Sequence, residues 1–361
     1  MPDASDVPTA WPGLDLDRLR RHLDRERPGL AAGPLTAELV HGGRSNLTYR
    51  VADGARTWIV RRPPLGHVLA TAHDMAREYR VISALAATPV PVPRGELLCE
   101  DPEVLGAPFY VMEDVPGTPY RGEEQLRAIG PERTRAAVET LVDTLVELHA
   151  VDPVAVGLAG FGRPEGYLER QLRRWGGQLD ASRSRELPGI DALHAALVRR
   201  LPDSPAPTVV HGDYRLDNVL IDDAGRLTAV LDWEMSTLGD PLTDLGLLVM
   251  YSGQRGPELL SATAAGGAPG HPDTGEIVHR YAEQSGRDVS AVGWYTAFAC
   301  FKLAVIAEGI HYRWTLGQTV GEGFDRIGAA VPGIVRRGLA TLGEDGGHLA
   351  GERGDDQYRE D

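Results

Sequence analysis

Apolar residues at helical spacing indicate where the helices of this chain lie. Leu16, Leu19 and Leu23 recur every three or four positions ahead of Pro28, which predicts a short amphipathic helix over 15–24. The same spacing predicts further helices at about 72–87, 132–150, 274–284, 289–314 and 320–340. The carboxyl-terminal part of the chain is therefore expected to be mainly helical.

Runs rich in β-branched and aromatic residues predict a different structure near the amino terminus. Strands are expected at 35–40, 46–51 and 56–61. Asp53-Gly54 has the composition of a hairpin turn. Residues 89–93 contain three prolines, which remove ladder donors, so this segment is expected to be a connector. Residues 109–117 pass from a strand into a turn, and a small β-rich lobe is thus predicted before most of the helices.

A polar loop that begins at His211 lies between two predicted strand regions. Val209 and Val210 lead into it, and a hairpin is expected after it, with strands at 219–221 and 227–231. Strands on both sides can hold the loop in one conformation.

Three side chains of this region have the chemistry of a magnesium site. Asp213, Asn218 and Asp232 supply two carboxylates and one amide oxygen, which are ligands that Mg²⁺ prefers. An Asp, an Asn five residues later and a further Asp after the next hairpin form the arrangement of a kinase catalytic loop and its metal-binding aspartate. The spacing therefore predicts phosphoryl-transfer chemistry.

Length and composition narrow the class of protein. At 361 residues the chain exceeds the usual size of a single core, so two lobes or domains are expected. Its hydrophobic content of 42% and charged content of 25% are typical of a soluble globular protein. The net charge of −15 argues against a nucleic-acid partner, because affinity for the phosphate backbone comes mostly from Lys and Arg.

Cysteine usage and the apolar runs bear on localisation. Cys99 and Cys300 are far apart and form no spacing motif, so neither a disulfide framework nor a zinc site is expected. Residues 1–6 lack the pattern of a secretory signal, and the apolar run at 289–301 is shorter than the roughly 20 residues of a membrane span. A cytoplasmic protein without a membrane partner is the expectation.

The motifs together resemble a known family. The set of motifs is similar to that of the aminoglycoside phosphotransferase and choline kinase family. It consists of His211-Gly212-Asp213 with Asn218, then Leu231-Asp232-Trp233-Glu234, then Asp240-Pro241. The form His-Gly-Asp-Tyr-Arg-Leu-Asp-Asn resembles most closely the branch whose kinase domains are fused to acyl-CoA dehydrogenases. The resemblance implies an α+β, protein-kinase-like, two-lobed fold, with a small β-rich N-terminal lobe and a larger, mainly helical C-terminal lobe.

This resemblance also implies a division of the chain. We expect an N-terminal segment with a short helix at 1–30 and a nucleotide-binding lobe at 31–117. A catalytic and substrate lobe is expected at 118–342, with a helical insertion at 155–205. Residues 343–361 are acidic, rich in glycine and without periodicity, which predicts a disordered tail.

For the catalytic residues, the resemblance implies an enzyme that uses ATP and Mg²⁺ to phosphorylate a hydroxyl of a small molecule. Asp213 is the expected catalytic base, and Asn218 and Asp232 are the expected metal ligands. Arg215 is expected to steady the transferred phosphoryl group; its alternative is an ion pair with Asp213 or Asp217. His211 is expected to buttress the loop, and Asp244 to brace it through its backbone.

Six further residues are the expected nucleotide-binding set: Ser45, Asn46, Arg61, Glu78, Glu113 and Val115. Ser45 and Asn46 follow a Gly-Gly pair that is either a phosphate-binding loop or a plain turn. Arg61 stands where protein kinases carry a lysine, and either binds phosphate while paired with Glu78 or caps a strand end. The backbone near Glu113 and Val115 is expected to bind adenine.

The sequence leaves more than one possibility for the molecule that accepts the phosphate. A hydroxyacyl compound or its CoA ester is favoured by the dehydrogenase-fused branch and by Arg170, Arg173 and Arg174, which otherwise form a solvated face. An aminoglycoside is the alternative that the family name and the acidic balance support, and a nucleotide-binding pseudokinase is a third. Glu308 and His311 either border the substrate cleft or serve packing. The oligomeric state is not indicated.

Overall fold

The structure is a computed structural model that describes residues 11–40, 46–65, 73–253, 265–318 and 324–343. Within these ranges the strands are β1 (Thr36–Leu39), β2 (Leu47–Ala52), β3 (Thr57–Arg62), β4 (Gly95–Cys99), β5 (Phe109–Glu113), β6 (Thr208–Val210), β7 (Val219–Ile221), β8 (Leu227–Val230) and β9 (Thr237–Gly239). The helices are α1 (Leu16–Glu26), α2 (Met75–Leu85), α3 (Pro102–Leu105), α4 (Glu123–Ile129), α5 (Pro131–Ala150), α6 (Tyr167–Ser182), α7 (Ile190–Arg199), α8 (Leu242–Ser252), α9 (Thr274–Ser285), α10 (Val292–Thr315) and α11 (Phe324–Thr341).

An antiparallel sheet with the order β1-β2-β3-β5-β4 forms the N-terminal lobe. Because side chains alternate along a strand, β5 serves two cores. Phe109 and Val111 pack with α1 on one face of the sheet, while Tyr110 and Met112 pack with α2 on the other. The second face opens onto the larger lobe, so the sheet forms one wall of the space between the lobes.

Most elements expected from the spacing are present. The predicted strands correspond to β1, β2, β3 and β5, and α1 begins where the Asp15 carboxylate accepts a hydrogen bond from the Arg18 N–H. Sequence reasoning missed β4, α3 and α4. β4 is a short edge strand directly after the proline-rich connector, and its Glu96 is buried beneath Arg27 and Arg94. Of the predicted tail at 343–361, residues 344–361 lie outside the described residues.

The chain passes between the lobes at a close contact. Thr118 and Ile221 exchange two backbone hydrogen bonds, of 2.9 and 3.1 Å, which attach the linker to β7. A Cβ at the preceding Gly117 would lie 2.8 Å from the Leu220 Cβ. Only a glycine fits there, so the linker is held directly against the hairpin of β7 and β8.

Helix α10 lies at the centre of the C-terminal lobe and packs on α6, α7, α8 and α11. Its apolar side chains are buried on nearly all sides, among them Tyr295, Phe301 and Val305. Gly246 of α8 lies so close to α10 that a Cβ there would be 2.5 Å from the Tyr295 carbonyl carbon. The two-lobed α+β fold expected from the resemblance is confirmed.

Arg77 of α2 joins the lobes. Its guanidinium donates hydrogen bonds to the carbonyls of Phe161, at 2.6 Å, and Ser236, at 2.9 Å. It also lies 3.9 Å above the centre of the Phe161 ring, a cation–π distance. Helix α2 of the small lobe is thereby fixed to the larger lobe.

None of the helices in the described ranges has the length and apolar character needed to cross a bilayer.

Candidate functional site

A cavity of about 1060 Å³ lies between the two lobes. Asp213, Asn218 and Asp232, the three side chains expected to converge, all line it. Arg61, Glu113 and Val115 line it from the small lobe, and Lys302, Leu303, Ile306 and Ile310 line it from α10. The predicted catalytic, metal-binding and adenine-binding positions therefore face one shared space.

Asp244 of α8 holds the start of the polar loop. Its buried carboxylate accepts hydrogen bonds from the backbone N–H groups of His211, at 2.6 Å, and Gly212, at 2.8 Å. Burial raises the pKa of this carboxyl, but hydrogen bonds from His149 and the loop backbone lower it by more. Asp244 thus remains ionised, and it braces the loop as expected.

His211 links the loop to the segment that carries Asp232. Its Nε2 lies 2.8 Å from the Leu231 carbonyl, and its Nδ1 lies 3.2 Å from the Asp213 N–H. Since a carbonyl can only accept and an N–H can only donate, Nε2 donates to Leu231 and Nδ1 accepts from Asp213. The expected buttressing role is consistent with these contacts.

Asp213 is placed by its neighbours with its carboxylate toward the cavity. The Asn218 side-chain amide donates to one carboxylate oxygen at 2.9 Å, and the Arg215 Nε lies 3.2 Å from the same oxygen. Arg215 also lies 3.0 Å from Asp217, so both ion pairs weighed from the sequence are formed. The Asp213 side chain retains 25% of its exposure, which leaves it accessible to a hydroxyl.

Asp217 gives folding a pH dependence. Burial raises the pKa of its carboxyl to about 6, although Arg215 opposes the shift. The folded state thus binds this proton more tightly than the unfolded state, and stability falls as pH rises between about 4 and 6.

We expect Asp217→Asn to raise the free energy of unfolding at pH 7.5 by about 1 to 3 kcal/mol, with the difference vanishing near pH 4. Denaturant unfolding at both pH values measures it; a less stable variant at pH 7.5 would contradict it.

Asp232 and Asn218 fit the ligand set of a hard cation. Asp232 is in the left-handed region, with φ of 63°, and its carboxylate is 29% exposed. The Leu231 N–H donates to the Asn218 carbonyl at 2.8 Å, which holds the two ligand-bearing segments together. No group of three His, Cys, Asp or Glu side chains in the described ranges forms a metal site by itself. A Mg²⁺ ion here would therefore take its other ligands from phosphate and water, as is usual for Mg²⁺.

Arg61 forms a network that sequence reasoning recognised only in part. The expected pair with Glu78 is present, with 3.1 Å from Nε to the carboxylate. Arg61 also donates to Asp232 at 2.6 Å. Burial raises the pKa of Glu78 and Arg61 opposes it, while the Tyr110 hydroxyl donates to the same carboxylate at 2.9 Å. Arg61 therefore contacts Glu78 on one side and Asp232, a predicted metal ligand, on the other.

Asn46 belongs to the same network. Its side-chain N–H groups go to Glu78 and Glu234, each at 3.2 Å, so both donors are engaged by protein carboxylates. Phosphate contact at Asn46 thus depends on the backbone, and its binding role remains a prediction. Ser45 lies outside the described residues. Glu113 and Val115 line the cavity beside the linker, and their contact with adenine also remains a prediction.

Glu308 of α10 and Arg170 of the insertion make contacts within the protein and do not line the cavity. The Glu308 carboxylate is fully buried and bonds to Ser184 at 3.0 Å and to Arg185 at 2.9 Å, so the packing interpretation is correct for it. Arg170 donates to the backbone carbonyls of Arg163 and Glu165. None of Arg170, Arg173 and Arg174 lines the cavity. Their expected contact with an acceptor gains no support from this position.

Sequence reasoning overlooked several residues at the site. Glu234 lies beside Arg61 at 3.8 Å, and Tyr251 lies with its ring 5.2 Å from the Arg215 guanidinium. Lys302 donates to the Gly212 carbonyl at 2.6 Å. The sequence signal for Lys302 is a lysine directly after the apolar run at 289–301, inside a predicted helix that is mostly apolar.

Comparison with known sequences gives a family match. The family model described as "Phosphotransferase enzyme family" matches residues 36–277. A curated relative, acyl-CoA dehydrogenase family member 11 of Gallus gallus, is 33% identical over 339 residues, which cover 90% of this chain and 43% of the relative. The chain thus spans less than half the length of that relative.

Solved structures share the architecture. A crystal structure of a protein from Ralstonia eutropha, provisionally named an aminoglycoside phosphotransferase, is 32% identical, with a TM-score of 0.80 and coverage of 91% of this chain and 98% of that one. Aminoglycoside phosphotransferase APH(4)-Ia, solved with AMP-PNP and hygromycin B, has a TM-score of 0.60 at 15% identity, covering 91% and 99%. The second likeness concerns the fold alone.

Proposed function

The chain belongs to the phosphotransferase enzyme family, and we propose that it transfers the γ-phosphoryl group of ATP to a hydroxyl of a small hydroxyacyl compound or its CoA ester, with Mg²⁺. The observation that carries this proposal is the convergence of Asp213, Asn218 and Asp232 on one inter-lobe cavity. The presence of AMP-PNP in the structure of APH(4)-Ia supports the choice of nucleotide.

Each residue of the site has a role in this reaction. Asp213 orients the acceptor hydroxyl and accepts its proton, since its carboxylate faces the cavity and is held by Asn218. Arg215 neutralises charge on the transferred group. Asn218 and Asp232 hold Mg²⁺, which when bound neutralises phosphate charge. Arg61, anchored by Glu78, binds phosphate oxygens through its guanidinium.

The cavity wall favours a hydroxyacyl acceptor over an aminoglycoside. Beyond Asp213 the wall from α10 is apolar, with Leu303, Ile306 and Ile310, and its charged side chain is the cation Lys302. An aminoglycoside carries several positive charges and needs carboxylates around it, whereas an acyl chain needs apolar surface. The carboxylates beside the catalytic loop, those of Asp213, Asp217 and Asp232, are already paired with Arg61 or Arg215.

Transfer of labelled phosphate tests the function. The protein is incubated with γ-labelled ATP, Mg²⁺ and a panel of hydroxyacyl-CoA esters, hydroxy acids and aminoglycosides. We expect label on a hydroxyacyl compound and none on the aminoglycosides. Transfer to an aminoglycoside alone would favour the antibiotic-kinase alternative. Tight binding of AMP-PNP with no transfer to any member would favour a pseudokinase.

A further inference from the structure

Lys302 is unusual in this chain. The sequence has 37 lysine and arginine residues together, and Lys302 is its only lysine. At every other basic position the residue is an arginine, both on the surface and in the ion pairs. Lysine differs from arginine by being a compact point charge with three donors on a flexible stem. Lys302 is therefore the one position at which this chain places a compact ammonium.

Lys302 lies half-buried at the border between the core and the cavity. It lies on α10 between Phe301 and Leu303, both buried, in the helix at the centre of the larger lobe. In the described part of the chain no ion pair joins it to a carboxylate, and its protein contacts are the Gly212 carbonyl and the Trp175 ring, 5.5 Å from Nζ. Burial lowers the pKa of the ammonium, with Asp213 and Asp244 opposing. This ammonium faces the cavity without a carboxylate partner in the described ranges, so it has donors available for a ligand.

The geometry directs this ammonium at the acceptor. The hydrogen bond to Gly212 uses one of its three donors and places Nζ at the residue before Asp213. Lys302 lines the cavity together with the apolar residues Leu303, Ile306 and Ile310, which follow it along one face of α10. In the proposed function, Arg61 and Arg215 contact the phosphates of the nucleotide. Lys302 reaches the cavity from α10 of the larger lobe, whereas Arg61 reaches it from β3 of the small lobe.

Resting on the proposed function, we propose that Lys302 determines acceptor specificity: its ammonium binds a carboxylate or thioester oxygen of the acceptor while it holds the Gly212 carbonyl, so that a hydroxyl of the same molecule meets Asp213. The acyl chain lies against the apolar face of α10. An acceptor of this class carries an oxygen acceptor at one end and a hydroxyl within a few carbons of it.

The kinetic test compares Lys302→Met and Lys302→Arg with Arg313→Met, which removes an exposed cation from the same helix. With 3-hydroxybutyryl-CoA and 3-hydroxybutyrate as probes, we expect Lys302→Met to lower kcat/KM by about 10- to 100-fold through KM, and Lys302→Arg to restore part of it. AMP-PNP affinity should not change in the variants at 302, and Arg313→Met should keep the parental kcat/KM. A loss confined to ATP hydrolysis or AMP-PNP binding would overturn the proposal, because Lys302 would then contact phosphate.

Stability separates recognition from a structural role. Lys302→Met exchanges a half-buried ammonium for an apolar side chain of similar length, so we expect its free energy of unfolding to equal or exceed that of the parent. A clear loss of stability with unchanged kcat/KM would overturn the proposal in favour of a purely structural lysine.

A labelling experiment works even if no phosphate is transferred. Because the chain has a single lysine, acetylation by limiting acetic anhydride reports on Lys302 at one peptide, read by mass spectrometry. We expect hydroxy acids and CoA thioesters, from 3-hydroxybutyrate upward in chain length, to slow this acetylation, and kanamycin not to. Equal rates with every member of the series, or protection by AMP-PNP alone, would overturn the proposal. Protection without transfer would keep the binding role and refute the proposed reaction.

Discussion

Replacing Asp213 with asparagine is expected to lower kcat by about a hundred- to ten-thousandfold while AMP-PNP binding is retained. Asparagine has nearly the same shape, and its carbonyl can still accept the hydrogen bond that Asn218 donates at 2.9 Å. Arg215 keeps Asp217 as a partner. The change therefore removes proton acceptance and leaves the loop in place. Transfer from γ-labelled ATP and calorimetric titration with AMP-PNP measure the two quantities.

Asp217→Asn is the matched control for this prediction. It makes the same chemical change in the same loop and also removes one ion-pair partner of Arg215. We expect it to change kcat by less than about tenfold, because the carboxylate of Asp217 has no part in proton acceptance. If the variant at 213 retained near-parental transfer, or if both variants lost activity equally, Asp213 would not be the base.

Replacing Asp232 with asparagine is expected to have the second large effect. The exchange replaces a carboxylate proposed as a Mg²⁺ ligand with a neutral amide, whose oxygen binds the cation more weakly, and we expect kcat/KM for ATP to fall by about a hundred- to a thousandfold. The midpoint of the Mg²⁺ titration should move to higher concentration. Arg61 loses its 2.6 Å partner but keeps Glu78, so folding should be preserved.

Glu234→Gln is the comparison for the metal prediction. Glu234 lies near the same guanidinium, 3.8 Å from Arg61, and accepts a hydrogen bond from Asn46. Its loss should weaken the Arg61 network without moving the Mg²⁺ midpoint. An unchanged midpoint in the variant at 232, or a larger shift in the variant at 234, would assign the metal to other ligands.

The parts of the site that lie close in sequence could be predicted, whereas contacts between distant elements could not. Asp213, Asn218 and Asp232 are separated by one loop and one hairpin, so strand and turn patterns were enough to bring them together. The Arg61–Glu78 pair came from a family resemblance and not from periodicity. The contacts of Lys302 with Gly212 and of Arg61 with Asp232 join residues 90 and 171 positions apart. They follow from how the lobes pack, which no local pattern contains.

Short elements and committed side chains were also beyond sequence reasoning. β4 has five residues after a proline-rich connector, too few for a clear alternation. Asn46 has the donors that a phosphate needs, but the fold turns them to Glu78 and Glu234. The sequence shows which donors and acceptors a side chain carries. Which groups they bind depends on tertiary structure.

The hydrogen bonds from Arg77 have a consequence for regulation. In many kinases the helix that carries the glutamate swings outward to switch the enzyme off, which separates the glutamate from its basic partner. Here the corresponding helix is α2, which carries Glu78. Arg77, the residue before Glu78, donates hydrogen bonds to the carbonyls of Phe161 and Ser236 in the larger lobe. We expect this helix to have no detached state, so that turnover follows the supply of acceptor and nucleotide and needs no activating modification.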